Sequence, residues 1–145
     1  MPSDPQTAPV SKTALWAGRI MSALVILFLA FDIVIKFVKP APPPVVEALT
    51  HLGWSLDLVP VLGILLLVST ALYAIPITSV LGAILLTGYL GGAIATHLRV
   101  GDPLFSHVLF PTYLGVLLWG GLYLREPCLR ALLPLRSPKA PSEAQ

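Results

Sequence analysis

The sequence predicts an all-α protein, a four-helix transmembrane bundle with a short interfacial helix near its C-terminus. Composition is the first reason: the 145 residues are 56% hydrophobic and 11% charged. A soluble domain has about 45–50% apolar and roughly 25% charged residues, so a chain this poor in charge cannot cover a surface that faces water. Spacing is the second. The apolar residues gather in four segments, each near the ~20 residues that cross ~30 Å of hydrocarbon at about 1.5 Å per residue. Because backbone groups in lipid must pair within their own segment, each reads as helix rather than strand. The length suits one domain.

The first span runs from about Thr13 to Phe37. It is too long for the 7–15-residue apolar core of a secretory signal, and no A-x-A-like cleavage site follows it, so it is expected to stay as a true span. Before it, residues 1–12 hold three prolines and no apolar period, which predicts a disordered tail. Lys39 to Trp54 is the one substantial loop, with Pro40 and Pro42 to Pro44, and a short helix is expected after Pro44. The second span covers about Leu56 to Ile75 and the third about Ile77 to Leu98. Pro76 lacks a donor and pushes Ile75 out of helical geometry, so the break between them falls there as a tight helical hairpin. The fourth span covers about Phe105 to Leu124, which closes a membrane domain over residues 13–125. In residues 126–145, LREPCLRALLPLR interleaves arginine with leucine and reads as a helix lying on the headgroups, followed by a polar tail.

Four spans put both termini and the second loop on one side. That side carries Lys12, Arg19, Arg125, Arg130, Arg136 and Lys139, six of the nine basic residues; the other carries Lys36, Lys39 and Arg99. The positive-inside rule then places both termini in the cytoplasm, in a multi-pass protein of the cell (inner) membrane. No basic patch with interleaved aromatics is present, so no nucleic acid is expected as a partner. The lipid bilayer is.

TGYLGGAIATHLRVGDP, from Thr87 to Pro103, is the most unusual stretch. Glycine in a water-exposed helix costs about 1 kcal/mol against alanine. A dinucleotide-binding loop would need a preceding strand and a spaced G-x-G-x-x-G, and neither is there. Gly88, Gly91, Gly92 and Ala95 instead make a small-residue stripe of the kind that lets helices approach closely in lipid. Packing inside this chain's own bundle is the first expectation, and an interface between copies is the alternative.

The titratable groups collect at the non-cytoplasmic end. Asp32 and Lys36 lie four residues apart on one face of the first helix. Glu47 and His51 belong to the loop, and Asp57 opens the second span, where it is expected to cap the turn containing Pro60. His97, Arg99 and Asp102 end the third span, and His107 opens the fourth. A charge at membrane depth costs about 2.5–3.5 kcal/mol on insertion scales, which makes Asp32 and Lys36 a functional hypothesis, although they also suit a self-neutralising pair. Arg99 suits a helix-end snorkel, and Asp102 before Pro103 suits a turn. Asp32, Lys36, His97, Arg99 and His107 form the candidate ligand-binding set. No two histidines stand at i, i+4, so the pattern predicts neither a metal nor a haem site. Nor does it predict a catalytic nucleophile: there is no G-x-S-x-G, and Cys128 is the only thiol.

IPITSVLGAILLTGYLGGAIATHLRVGDP, followed by LWGGLYLREPCLRALLPLR, resembles the DoxX-like family of small four-helix membrane proteins. The match extends from about Val59 to Arg136, with Lys36 as an earlier element of the same pattern. The resemblance implies a membrane protein in a family named for a subunit of thiosulfate:quinone oxidoreductase. It supplies no catalytic residue. Two functions follow as expectations. One is a non-catalytic or quinone-binding membrane subunit beside a membrane oxidoreductase, since quinone carbonyls need a few donors at the end of an apolar cavity. The other is a binding or assembly module without redox activity: a small-molecule carrier, an anchor or a chaperone. The oligomeric state is open.

Overall fold

The structure, a computed structural model, describes residues 11–132. Helix α1 spans Lys12–Phe37, α2 Pro43–His51, α3 Val59–Ala74, α4 Ser79–Arg99, α5 Phe110–Arg125 and α6 Pro127–Leu132. Short turns of tighter or wider helix lead into α3, α4 and α5. With them the chain has four segments long and apolar enough to cross a membrane: Lys12–Phe37, Leu56–Ala74, Pro76–Arg99 and Leu104–Arg125. The all-α, four-span class expected from composition is therefore what forms.

The four long helices close a ring, α1 against α3, α3 against α4, α4 against α5 and α5 against α1. Their directions alternate. One end, here the termini end, holds the start of α1, the α3–α4 hairpin, the end of α5 and α6. The other, the histidine end, holds α2 and the turns after α1 and α4. Inside the ring Val25, Leu66, Leu86, Leu118 and Leu122 are fully buried. Outside it Ile77 is 92% exposed and Phe105 74% exposed. Such a coat of large apolar side chains suits lipid and would be untenable in water.

Lipid solvates apolar side chains as well as a core does, so close backbone approach and interhelical hydrogen bonds must hold the helices. Gly82 supplies the closest approach: a Cβ there would lie 2.1 Å from the Tyr73 backbone nitrogen. At the same end a Cβ on Gly121 would lie 2.7 Å from the Ser22 hydroxyl. Between these contacts the fully buried Tyr73 donates its hydroxyl to the Leu118 carbonyl at 2.9 Å, and the Ser22 hydroxyl meets the same phenol oxygen at 2.9 Å. Three helices are joined through that one oxygen. Arg125 lies over the ring of Tyr73, 5.3 Å from its centroid.

Several boundaries differ from expectation for local reasons. α1 starts at Lys12 because Ser11 caps it, accepting from the Ala14 amide at 3.2 Å. Residues 11 and 12 thus leave the expected tail; residues 1–10 and 133–145 lie outside the described residues. The loop helix begins at Pro43 rather than after Pro44, since proline is well suited to a first helical position. Ser55, not Asp57, caps the turn into α3. At the hairpin, the Thr78 hydroxyl donates at 2.8 Å to the Leu72 carbonyl, which Pro76 leaves open for want of an N–H, and the Ser79 hydroxyl donates to the Pro76 carbonyl at 2.9 Å. The fourth span opens with a π turn over Leu104–Val108, the wide geometry that carries His107.

Candidate functional site

Two helix ends build the site, and both end the same way. α4 stops at Arg99, and Gly101 follows with φ +76°. The Gly101 amide donates to the Leu98 carbonyl at 3.2 Å and the Asp102 amide to the His97 carbonyl at 3.1 Å. These are the paired bonds of a Schellman cap, whose left-handed residue is cheapest as glycine. The cap folds Asp102 back beside His97. α2 repeats the device: it stops at His51, Gly53 has φ +72°, and the Gly53 and Trp54 amides donate to Thr50 and Leu49 carbonyls at 3.1 and 2.8 Å.

The two caps are laced together. Asp102 accepts from His97 Nδ1 at 2.6 Å on one carboxylate oxygen and from His51 Nε2 at 2.7 Å on the other. Arg99 donates to the Leu52 carbonyl at 2.5 Å, one residue beyond α2. α2 itself buries no residue and packs only lightly on the long helices, so these bonds are what hold it over the end of the bundle. The hydrogen bond from His97, and after it the one from His51, hold the Asp102 carboxyl below the usual carboxylate range.

Beneath α2 lies a cavity of about 380 Å³, lined on the α2 side by Pro44, Glu47, Ala48, His51 and Leu52, and below by His97, Asp102 and His107. The ring centroids of His97 and His107 are 5.9 Å apart. His107 Nδ1 pairs with the Ser106 hydroxyl at 2.8 Å. The other nitrogen of each histidine ring takes no protein partner among the described residues. Those nitrogens are free for a polar ligand. Among the described residues no group of three or more His, Cys, Asp or Glu is arranged to hold a metal ion, and Cys128 is a free, exposed thiol.

The five candidate ligand residues separate into three groups. His97 and His107 line the cavity. Arg99 does not; it tethers α2. Asp32 and Lys36 pair with each other at 2.5 Å well below it, with the lysine side chain 14% exposed. The Lys36 stem faces Gly63 of α3, and Asp32 lies within electrostatic reach of Tyr89 of α4. Tyr89 is eight residues before His97, roughly 12 Å lower at about 1.5 Å per residue. The deep ion pair and the histidine cavity are therefore separate sites.

The glycine stripe is placed differently again. A Cβ on Gly88, Gly91 or Gly92 would meet nothing within 4 Å, and these three and Ala95 are exposed, on the side of α4 opposite its buried Leu86 and Leu90. The close contacts inside this chain are made at Gly82 and Gly121 instead. Sequence reasoning also missed His51 and Asp102 as site members and Tyr73 as the hub of the termini end. A signal for the first two exists: each helix-ending polar run is followed by a glycine at the C′ position.

Comparison with known proteins agrees with this architecture. Neither a curated protein nor a solved structure gives a match. The sequence model of the DoxX-like family matches residues 20–121, from within α1 to the last turns of α5. The chain is a membrane protein that belongs to the DoxX-like family.

Proposed function

We propose that this protein is a non-catalytic membrane subunit that binds a quinone-type molecule in the cavity under α2, on behalf of a partner oxidoreductase in the same membrane. The observation that carries the reading is that cavity: about 380 Å³, with three histidines and two carboxylates at one end of a largely apolar bundle. Ligand sites of this kind combine apolar walls with a few fixed polar groups. Ring nitrogens at the cavity wall can hydrogen-bond the ring oxygens of a quinone or its quinol, and the apolar coat suits its tail. A bound quinone would supply two-electron redox chemistry; this chain would position the ring. By the lysine and arginine bias, both termini lie in the cytoplasm and the cavity faces the other side of the cell membrane.

The test is direct. Protein purified in mild detergent is titrated with a short-tailed benzoquinone and its quinol, and binding is read by equilibrium dialysis. Saturable binding of either form, weakened at least tenfold by His97→Ala or His107→Ala, supports the reading. No saturable binding of either form sinks it.

The open face of Gly88, Gly91, Gly92 and Ala95 favours a second reading, an assembly module that offers α4 to another helix. Gly88→Leu separates the two: it should disturb association in the membrane on this reading, and leave the cavity untouched on the first.

A further inference from the structure

We infer that the wall of the cavity built on Asp102 accepts hydrogen bonds rather than donating them, and so selects the hydroxyl-bearing quinol over the carbonyl-bearing quinone. This rests on the quinone-site reading above and specifies it. The argument begins at Asp102. An ionised carboxylate has lone pairs and no proton, so it can only accept. Its two oxygens contact His97 Nδ1 at 2.6 Å and His51 Nε2 at 2.7 Å, with the Asp102 side chain 10% exposed. Both rings must therefore donate to it. A neutral imidazole has one N–H, and when that hydrogen is given to Asp102 the opposite nitrogen holds a lone pair.

His97 Nε2 and His51 Nδ1 are those opposite nitrogens. Neither has a protein partner among the described residues, and both rings line the cavity. One carboxylate thus sets two tautomers at once. Of the other titratable groups around the cavity, Glu47 on α2 is a further acceptor when ionised. His107 has its Nδ1 on the Ser106 hydroxyl, a contact that either partner could donate. Arg99, the nearby permanent donor, is directed to the Leu52 carbonyl and does not line the cavity. Two fixed lone pairs are satisfied by a ligand with O–H groups and left unpaired by one with only C=O. A quinol, with two more electrons and two more protons than its quinone, presents O–H donors where the quinone has only carbonyl acceptors.

The experiment compares the two forms of one short-tailed benzoquinone as probes, under argon and at about pH 8, above the ordinary imidazole range. The wild-type protein is expected to bind the quinol about tenfold more tightly, the scale of one net hydrogen bond. In Asp102→Asn the amide has a donor of its own, so one ring must reverse its tautomer and present N–H to the cavity. The quinol preference should then fall severalfold. Equal binding of both forms by the wild type, or a quinone preference, overturns this inference and leaves the cavity as a quinone site. Binding of neither form overturns the site itself. A ligand-free reading keeps the matter decidable if the variant does not fold. In protein carrying ¹⁵N-histidine, His97 is expected protonated at Nδ1 and His51 at Nε2, and the opposite tautomer at either position overturns the inference.

Discussion

At the termini end, α1, α3, α4 and α5 meet through backbone contact at Gly82 and Gly121 and through one phenol oxygen shared by Ser22, Tyr73 and Leu118. At the histidine end, a cavity lies between α2 and the end of α4, and polar bonds from His51, His97 and Arg99 hold the light helix over it. The first arrangement sets backbone against backbone, and its hydrogen bonds are buried between helices. The second spends its polar groups at the membrane boundary, where water can stabilise them before a ligand does. The contrast teaches a division of labour in a small membrane protein. Packing fixes one end of the ring, which lets the other be held loosely enough to have an opening.

The division breaks most decisively at Gly82. A leucine there puts a side chain into the Tyr73 backbone, against a contact that is 2.1 Å for a Cβ alone. We expect Gly82→Leu to destabilise the protein by about 3 kcal/mol or more, read as thermal unfolding in detergent, because neither backbone can move without opening the hairpin. Gly88→Leu on the outer face of the same helix should stay within about 0.5 kcal/mol in the monomer. If the two substitutions cost the same, the outer stripe is packed after all.

Tyr73→Phe comes next. It removes the hydroxyl that joins α3 to α1 and α5, leaving the Ser22 hydroxyl and the Leu118 carbonyl without that partner. A loss of about 1–2 kcal/mol is expected in the same unfolding measurement. Probe binding at the histidine end should be unchanged. A concurrent loss of binding would show that the two ends are not independent.

Gly101→Ala attacks the opposite end. Its φ of +76° makes any L side chain strained, by about 1 kcal/mol. The effect on global stability is therefore modest, while quinone or quinol binding should drop severalfold, since Asp102 is placed by that cap. Stability and binding would move in opposite proportion to Tyr73→Phe. That crossing is the sharpest check on the comparison.

Much of this was legible before the structure. Composition and segment length determine the four spans, because lipid leaves a backbone few alternatives, and Pro76 marks the hairpin. The gathering of histidines at one end follows from counting spans. What stayed hidden depends on rotation about helix axes. Gly82 and Gly88 look alike in sequence, and only the orientation of α4 puts one against Tyr73 and the other outward. Asp32 and His97 share an end but not a depth. Asp102 reads as a turn residue, which it is; that the same turn aims its carboxylate at two histidines depends on Gly101 and on His51 of α2, 51 residues earlier in sequence. Arg125 reads as one more basic residue of the termini end; it lies over Tyr73, whose hydroxyl reaches across the helix ring to the Leu118 carbonyl of α5.

The smallest expected effect concerns the lace itself. The Asp102 carboxyl is held below its ordinary value of 3.8, first by the hydrogen bond from His97 and then by the one from His51. A carboxyl whose proton affinity is lower in the folded chain than in the unfolded one stabilises the fold wherever it is ionised. That contribution is complete above the ordinary value and is lost as pH falls through the lowered one. Acid should therefore release α2 without disturbing the termini end. Trp54, held in the α2 cap beside the Leu52 carbonyl that Arg99 grips, reports on this. Its emission should stay constant from neutral pH down to the ordinary carboxylate range and shift only below it, while Tyr73 and its neighbours keep their helical signal. Asp102→Asn, having no carboxyl to titrate, should lack the transition. A shift centred instead near the ordinary imidazole range of about 6.5 would mean that the histidines, not Asp102, decide when the lace opens.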